Sequence, residues 1–117
     1  MRLNEVSYGE GQPVDGYGPG FFRVGGTAHE APLVILPGGL TGWGGLEDGD
    51  GLLAAAGTVD VLLVGMGAEI AHLPRGLRAR LEEAGLGVEV MSSPQACRTY
   101  NVLLGEGRRV GLAVLPV

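Results

Sequence analysis

The only cysteine of the chain lies in the stretch SSPQACRTYNVLLGEGRRV (residues 92–110), and an arginine follows it directly. If this stretch is helical, Cys97 lies near the helix start, where the positive end of the macrodipole and the Arg98 charge both lower a thiol pKa. A nucleophilic cysteine also needs a base beside it, and His29 and His72 are the only histidines. Because a free cysteine is usually a small buried hydrophobe, we interpret Cys97 as a packing residue at the edge of the apolar face.

Arg98 and Asn101 lie three residues apart on this predicted helix and face away from its apolar stripe. A solvated helix face is one interpretation. In a second, Arg98 presents its planar guanidinium to a carboxylate or phosphate, and backbone N–H groups of the helix start at Ser92–Ala96 add further donors. In a third, Arg98 pairs with an internal acid and ties the helix to the sheet.

Two further features could contact a ligand or a partner. Gly65 and Gly67 follow the apolar run DVLLV, at a strand end where open α/β sheets bind ligands. GMGAEI lacks the third glycine of a dinucleotide fingerprint, so a tight turn is the simpler interpretation. Trp43, the only tryptophan, lies in a glycine-rich connection (38–51) that we expect to be mobile. We interpret Trp43 as the anchor of that connection, with a partner contact as the alternative.

The elements that must position these residues begin with a polar, glycine- and proline-rich stretch, residues 1–20, which predicts a flexible arm. FFRVGG (21–26) predicts a strand ending in a turn, and TAHEA (27–31) predicts the returning strand of a hairpin. Continuous apolar runs at 33–37 and 60–65 are typical of strands that are covered on both faces. Between these runs, LLAAAG predicts a short helix.

The second half of the chain has clearer periodicity. Pro74 opens a helix that ends before Gly85, and LGVEVM (86–91) follows as a strand. A serine cap and Pro94 then open the helix that carries Cys97, and RRVGLAVLPV supplies a last strand. The residues predicted to face the core from the two helices are Leu73, Leu77, Leu81, Ala84, Ala96, Tyr100, Leu103 and Leu104. This order of elements predicts one α/β domain over residues 21–117, with a largely parallel central sheet.

Composition excludes several classes of function. The formal net charge is −5 and the eight basic residues are scattered, whereas nucleic-acid binders carry a basic face. No stretch approaches the roughly 18–20 continuous apolar residues of a membrane span, and the N-terminus has no apolar signal-peptide core. One cysteine forms no internal disulfide, and no zinc-ligand spacing is present. We therefore expect a cytoplasmic protein without metal or cofactor, and without nucleic-acid binding or membrane insertion.

The blocks LLVGMG, LPRGLRARLEEAGLGVEVM and ACRTYNVLLGEGRRV resemble a known family. It is the domain-of-unknown-function family shared by bacterial and archaeal orphan proteins and mitochondrial NADH:ubiquinone oxidoreductase (complex I) assembly factor 3. The resemblance implies a three-layer α/β sandwich with a mixed central sheet, in which the last strand can run antiparallel to its neighbours. It implies no established catalysis, and its mitochondrial member acts through protein contacts at the inner membrane. The family motif matches Arg98, Tyr100, Asn101, Gly65 and Gly67, whereas TAHEAPL and the glycine-rich segment around Trp43 depart from it.

Three functional hypotheses follow. The first is a non-catalytic protein-interaction module, resembling an assembly factor for a membrane-associated complex, whose surface includes Trp43, the Gly65–Gly67 loop and Arg98. The second is a small-ligand or anion-binding domain that uses the helix start at Ser92–Ala96 and Arg98. An enzyme that uses Cys97 is the least expected. A protein partner is implied, and a small apolar patch could drive homo-oligomerisation.

Overall fold

The computed structural model describes residues 11–117, which form eight strands and three helices in a mixed α/β fold. The strands are β1 (Val14–Gly18), β2 (Phe21–Val24), β3 (Thr27–Glu30), β4 (Leu33–Leu36), β5 (Gly39–Gly42), β6 (Val61–Gly65), β7 (Gly87–Met91) and β8 (Val110–Val114). The helices are α1 (Gly49–Leu53), α2 (Arg75–Glu83) and α3 (Ser93–Gly105).

Five strands form a mixed sheet in the order β5-β4-β8-β6-β7. β6 pairs in parallel with β7 and β8, and β4 pairs antiparallel with β5 and β8. The sheet is therefore parallel only among β8, β6 and β7. The expectation of a largely parallel sheet was wrong for the side formed by β4 and β5. β5 is antiparallel to β4 because Pro37 and Gly38 join the two strands as a tight hairpin, and β5 lies in the stretch that the sequence led us to expect as a mobile connection.

β1, β2 and β3 form a separate antiparallel sheet. The predicted β2–β3 hairpin is confirmed: Gly25 and Gly26 both have positive φ angles (57° and 84°), as a tight hairpin turn with two left-handed residues requires. β1 occupies part of the stretch for which a flexible arm was predicted. It pairs with β2, and the Asp15 side chain accepts a hydrogen bond from the Gly26 N–H at 2.7 Å. Residues 1–10 of that arm lie outside the described residues.

Successive side chains of β6 enter different clusters of the core. Leu63 packs with buried residues of α3 and of the three-stranded sheet β1–β3, which we call the small sheet. Leu62 and Val64 pack with buried residues of α1 and α2. Side chains alternate between the faces of a strand, so an unbroken apolar run fits a sheet that is covered on both sides. The buried strands and the second and third helices were predicted close to their observed bounds. The short first helix begins earlier, at Gly49, because the Asp48 side chain caps it by accepting from the Gly51 N–H.

Candidate functional site

The start of α3 packs against the loop that follows β6 and is hydrogen-bonded to it. Ser93 is fully buried; its N–H donates to the Gly67 carbonyl at 2.7 Å, and its Oγ accepts from the Gly67 N–H at 2.9 Å. The same Oγ donates to the Leu115 carbonyl at 2.8 Å, just beyond β8. A Cβ on Gly65 would lie 2.6 Å from the Ser93 Cα. Gly65 therefore permits close approach of α3, and the Gly65–Gly67 loop contacts the helix where a ligand was considered.

The backbone donors at the start of α3 are used inside the protein. Ser93 donates to the loop, Pro94 has no N–H, Gln95 donates to the Ser92 Oγ at 3.4 Å, and Ala96 donates to the Ser92 carbonyl at 2.8 Å. The predicted serine cap and first-turn proline are thus confirmed. Since these N–H groups already have acceptors, the helix start offers no free donor set for the anion considered in the sequence.

Cys97 packs in the core beside α3's other apolar residues and is 5% exposed. Burial raises the pKa of its thiol to about 12, and the neighbouring Arg98 charge only partly opposes this rise. The packing interpretation is confirmed by this burial. A thiol that keeps its proton at neutral pH is a poor nucleophile, so the local chemistry argues against catalysis by Cys97.

Tyr100 and Asn101 both hold the stretch around β1. The Tyr100 side chain is buried, as predicted, and its hydroxyl donates to the Gln12 carbonyl at 3.0 Å. Asn101 was expected to face away from the core beside Arg98. Instead, its amide accepts from the Val14 N–H at 2.9 Å and donates to the Val14 carbonyl at 2.8 Å. The expectation failed because it treated the partner strand as a flexible arm.

Arg98 is exposed, and of the alternatives that the sequence left open, pairing with an internal acid is not seen among the described residues. Its Nη2 donates to the Gln95 Oε1 at 2.6 Å, and it takes part in none of the ion pairs formed within residues 11–117. Two exposed apolar side chains lie near it: Tyr17 on β1, 47% exposed, lines the same cleft as Arg98, and Val102, 59% exposed, lies one helical turn along α3. We call Tyr17, Arg98 and Val102 the α3–β1 surface.

A cleft of about 170 Å³ lies between α3 and β1 next to this surface. Tyr17, Asp15 and Arg98 are among its lining residues. Arg98 and the Tyr17 ring therefore line the same cleft as the Asp15 carboxylate, and Val102 lies on the same side of α3 as Arg98 by its four-residue spacing. Sequence reasoning identified Arg98 and missed its two apolar neighbours. A valine outside the apolar stripe of a helix was the available signal for Val102, whereas Tyr17 lay in the stretch taken for an arm.

Trp43 anchors its glycine-rich segment, as predicted. Its ring is buried with the residues of α1 and α2, and its Nε1 donates to the Asp48 carbonyl at 3.0 Å. The Asp48 side chain also accepts from the N–H groups of Gly44 and Gly51. Because its ring is inside the core, Trp43 offers a partner little surface.

No group of three or more His, Cys, Asp or Glu side chains within the described part of the chain is arranged to hold a metal ion. Over the same residues, none of the helices has the length and apolar character needed to cross a bilayer.

The chain is similar in sequence and in structure to several known proteins. An uncharacterized Rhodobacter capsulatus protein is 51% identical over 117 residues, covering 100% of this chain and 94% of that protein. Bovine NADH dehydrogenase [ubiquinone] 1 alpha subcomplex assembly factor 3 is 32% identical over 111 residues, or 88% of this chain, which spans 60% of that protein. The crystal structure of a Bartonella henselae protein described as an outer membrane protein superposes with a TM-score of 0.83 at 36% identity, covering 91% of this chain and 95% of the other.

The family profile described as protein of unknown function (DUF498/DUF598) matches residues 14–115, from the first residue of β1 to just beyond β8. The match includes both sheets and all three helices described above. The chain therefore belongs to the DUF498/DUF598 family, as the resemblance of its sequence blocks predicted.

Proposed function

We propose that this protein is a non-catalytic protein-interaction module that acts in the manner of an assembly factor. It binds a protein component of a membrane-associated complex through the α3–β1 surface. The single observation that carries the proposal is the exposure of two apolar side chains near the outward-facing Arg98: Tyr17, which lines the same cleft, and Val102, one helical turn along α3. Aromatic residues and arginine are enriched in the centres of protein interfaces and dominate their binding energy.

The surface is held in place before a partner arrives, which supports this use. Asn101 joins α3 to β1 by two hydrogen bonds, so the helix and the strand that carry the surface are tied together. The Tyr17 ring contacts the ring of the buried Phe22, with centroids 6.1 Å apart, and Gln95 orients the Arg98 guanidinium. Preorganised side chains lose less conformational entropy on binding.

The relatives support the same class of function. The bovine relative is named as an NADH dehydrogenase [ubiquinone] 1 alpha subcomplex assembly factor, and a name of that kind supports a role through contacts with other proteins. Since this chain spans 60% of that relative, the proposal concerns the shared domain only. We further propose that this domain is a three-layer sandwich, with α1 and α2 on one face of the five-stranded sheet and α3 with the small sheet on the other. A cytoplasmic location stays a prediction.

The chemistry of the alternatives supports an interaction module over an enzyme that uses Cys97 or an anion site at the start of α3. Cys97 is buried with a raised pKa, and the N–H groups at the start of α3 already have acceptors inside the protein. We therefore assign no reaction and no cofactor to the Cys97–Arg98 segment. A protein partner uses the exposed guanidinium and the apolar side chains together, which neither alternative requires.

The test is quantitative affinity capture from native cells with tagged protein, comparing wild type with the exposed-surface variants Arg98→Glu and Val102→Asp. Arg23→Glu, an exposed arginine on β2, is the matched control for the charge change. We expect both surface variants to lower recovery of the partner about tenfold or more, while the control recovers it like wild type. Circular dichroism confirms that each variant is folded. Equal recovery by all four proteins, or recovery of no partner by any, overturns the proposal.

A further inference from the structure

A second cavity, of about 390 Å³, is lined by residues of the loop that follows β6, of α2 and of β7. Its lining residues are Ile70, Ala71, His72, Leu73, Arg78 and Val90. The segment from Ala68 to Leu73 that forms much of its wall contains no helix or strand. In open α/β sheets, loops that follow the carboxyl ends of strands often carry ligand sites, and the volume falls within the range of about 300–1,000 Å³ of ligand pockets.

Arg78 supplies the fixed charge of this cavity. Its side chain is half-buried, and its Nη2 donates to the Val88 carbonyl at 3.3 Å, which holds the guanidinium against β7. Neither ion pair of the described residues involves Arg78. The lining contains no carboxylate, although the whole chain is acidic with a formal net charge of −5. A guanidinium presents five N–H donors, so donors remain for an anionic group in the cavity.

The rest of the lining is mainly apolar and restricts the kind of anion. Ile70 is 71% exposed, and Leu73 and Val90 continue the apolar wall. One guanidinium pairs bidentately with a carboxylate and balances its single charge, whereas a phosphate dianion would keep an unbalanced charge against this apolar lining. We propose that this cavity binds a small monocarboxylate with an aliphatic tail, with its carboxylate on Arg78 and its tail against Ile70 and Val90.

This site is independent of the α3–β1 surface, because the two share no residue. If the cavity binds no carboxylate, the protein-interaction proposal stays intact. If the α3–β1 surface binds no protein, the carboxylate proposal stays intact. The two proposals are therefore tested by different ligands and different variants.

The experiment is an amide NMR titration of the full chain with sodium octanoate, with octanamide as the uncharged probe of the same tail. We expect saturable shifts for Ile70, Ala71, His72, Arg78 and Val90, with a Kd on the order of 1 mM, as suits a small ligand in a half-open cavity. Octanamide is expected to bind about tenfold more weakly, because it lacks the charge-assisted bond to the guanidinium. Equal affinity for the two probes overturns the assignment of the carboxylate to Arg78.

Arg78→Gln tests the residue directly, and Arg23→Gln removes the same charge from an exposed position on β2. We expect Arg78→Gln to weaken octanoate binding about tenfold and to abolish the preference over octanamide, while Arg23→Gln leaves both unchanged. If Arg78→Gln proves unstable, the octanoate–octanamide comparison on wild-type protein decides the question alone. Absence of saturable shifts at the lining residues, or shifts spread evenly over the surface, overturns the proposal.

Discussion

Asn101 on α3 holds both backbone polar groups of Val14 on β1: it accepts from the Val14 N–H at 2.9 Å and donates to the Val14 carbonyl at 2.8 Å. The two residues are 87 positions apart in the chain. This pair of bonds satisfies groups of β1 that face α3 and joins the small sheet to the helix. The α3–β1 surface depends on it, since Tyr17 and Val102 lie on the two elements that Asn101 connects.

We expect Asn101→Ala to lower the free energy of unfolding by about 1–3 kcal/mol, because the Val14 N–H and carbonyl both lose their partner in a part-buried position. Chemical denaturation followed by circular dichroism measures the change. Thr99→Ala, on the same helix, is the control: it removes only the exposed hydrogen bond that the Thr99 Oγ1 accepts from the Gln95 Nε2, and it should cost less than about 0.5 kcal/mol. Equal costs for the two variants would show that the Asn101–Val14 bonds do not hold β1.

Gly65→Ala should destabilise the protein because the new Cβ would lie 2.6 Å from the Ser93 Cα and 2.7 Å from its Oγ. β6 and α3 would have to separate, at a cost of about 1–3 kcal/mol or more for overpacking. Gly76→Ala is the matched control, since a Cβ at this α2 position meets open space. Alanine there should stabilise the helix by about 0.5–1 kcal/mol. Thermal unfolding of both variants checks the opposite signs; the same sign in both would contradict the close-approach role of Gly65.

The sequence predicted those elements whose pattern is local. The unbroken apolar run of β6 and the helical spacing of Tyr100 and Leu104 on α3 both reflect burial that the chain itself encodes. β1 and the β4–β5 hairpin were missed, because their glycines and short lengths carry no alternation that distinguishes a strand from a loop. β1 is held by β2 and by a distant helix, and no pattern within 14–18 records those partners.

For the candidate sites too, the sequence predicts what depends on a local pattern and misses what depends on contacts between distant elements. Helical phase placed Arg98 outside the apolar stripe, but it left open whether the side chain is exposed or paired with an internal acid. The same phase placed Asn101 in solvent, and this expectation failed because the contact with Val14 depends on the position of another element. The cavity around Arg78 was also missed, since its walls come from the loop after β6, from α2 and from β7. Periodicity within one element gives no information on such a convergence.

Cys97 should resist alkylation in the native protein. Its thiol is buried and its pKa is raised to about 12, so almost no thiolate is present or accessible at pH 8. We expect iodoacetamide to leave Cys97 unmodified in buffer at that pH and to modify it fully in denaturant, as measured by intact mass. Rapid labelling of the folded chain near neutral pH would contradict the burial and would reopen a catalytic role for the thiol.

The free energy of unfolding should fall at alkaline pH because of two buried acidic groups on α3, the Cys97 thiol and the Tyr100 hydroxyl. Burial raises the thiol pKa of Cys97 from 9.0 to about 12 and the hydroxyl pKa of Tyr100 from 10.0 to about 12. In the window from about pH 9 to 12, the unfolded chain loses these protons while the native chain keeps them, so stability must fall as pH rises. The slope approaches about 1.4 kcal/mol per pH unit for each group. Urea unfolding at a series of pH values should show a flatter decline in Tyr100→Phe and in Cys97→Ala than in wild type. Unchanged slopes in both variants would mean that neither group is held in its protonated form by the fold.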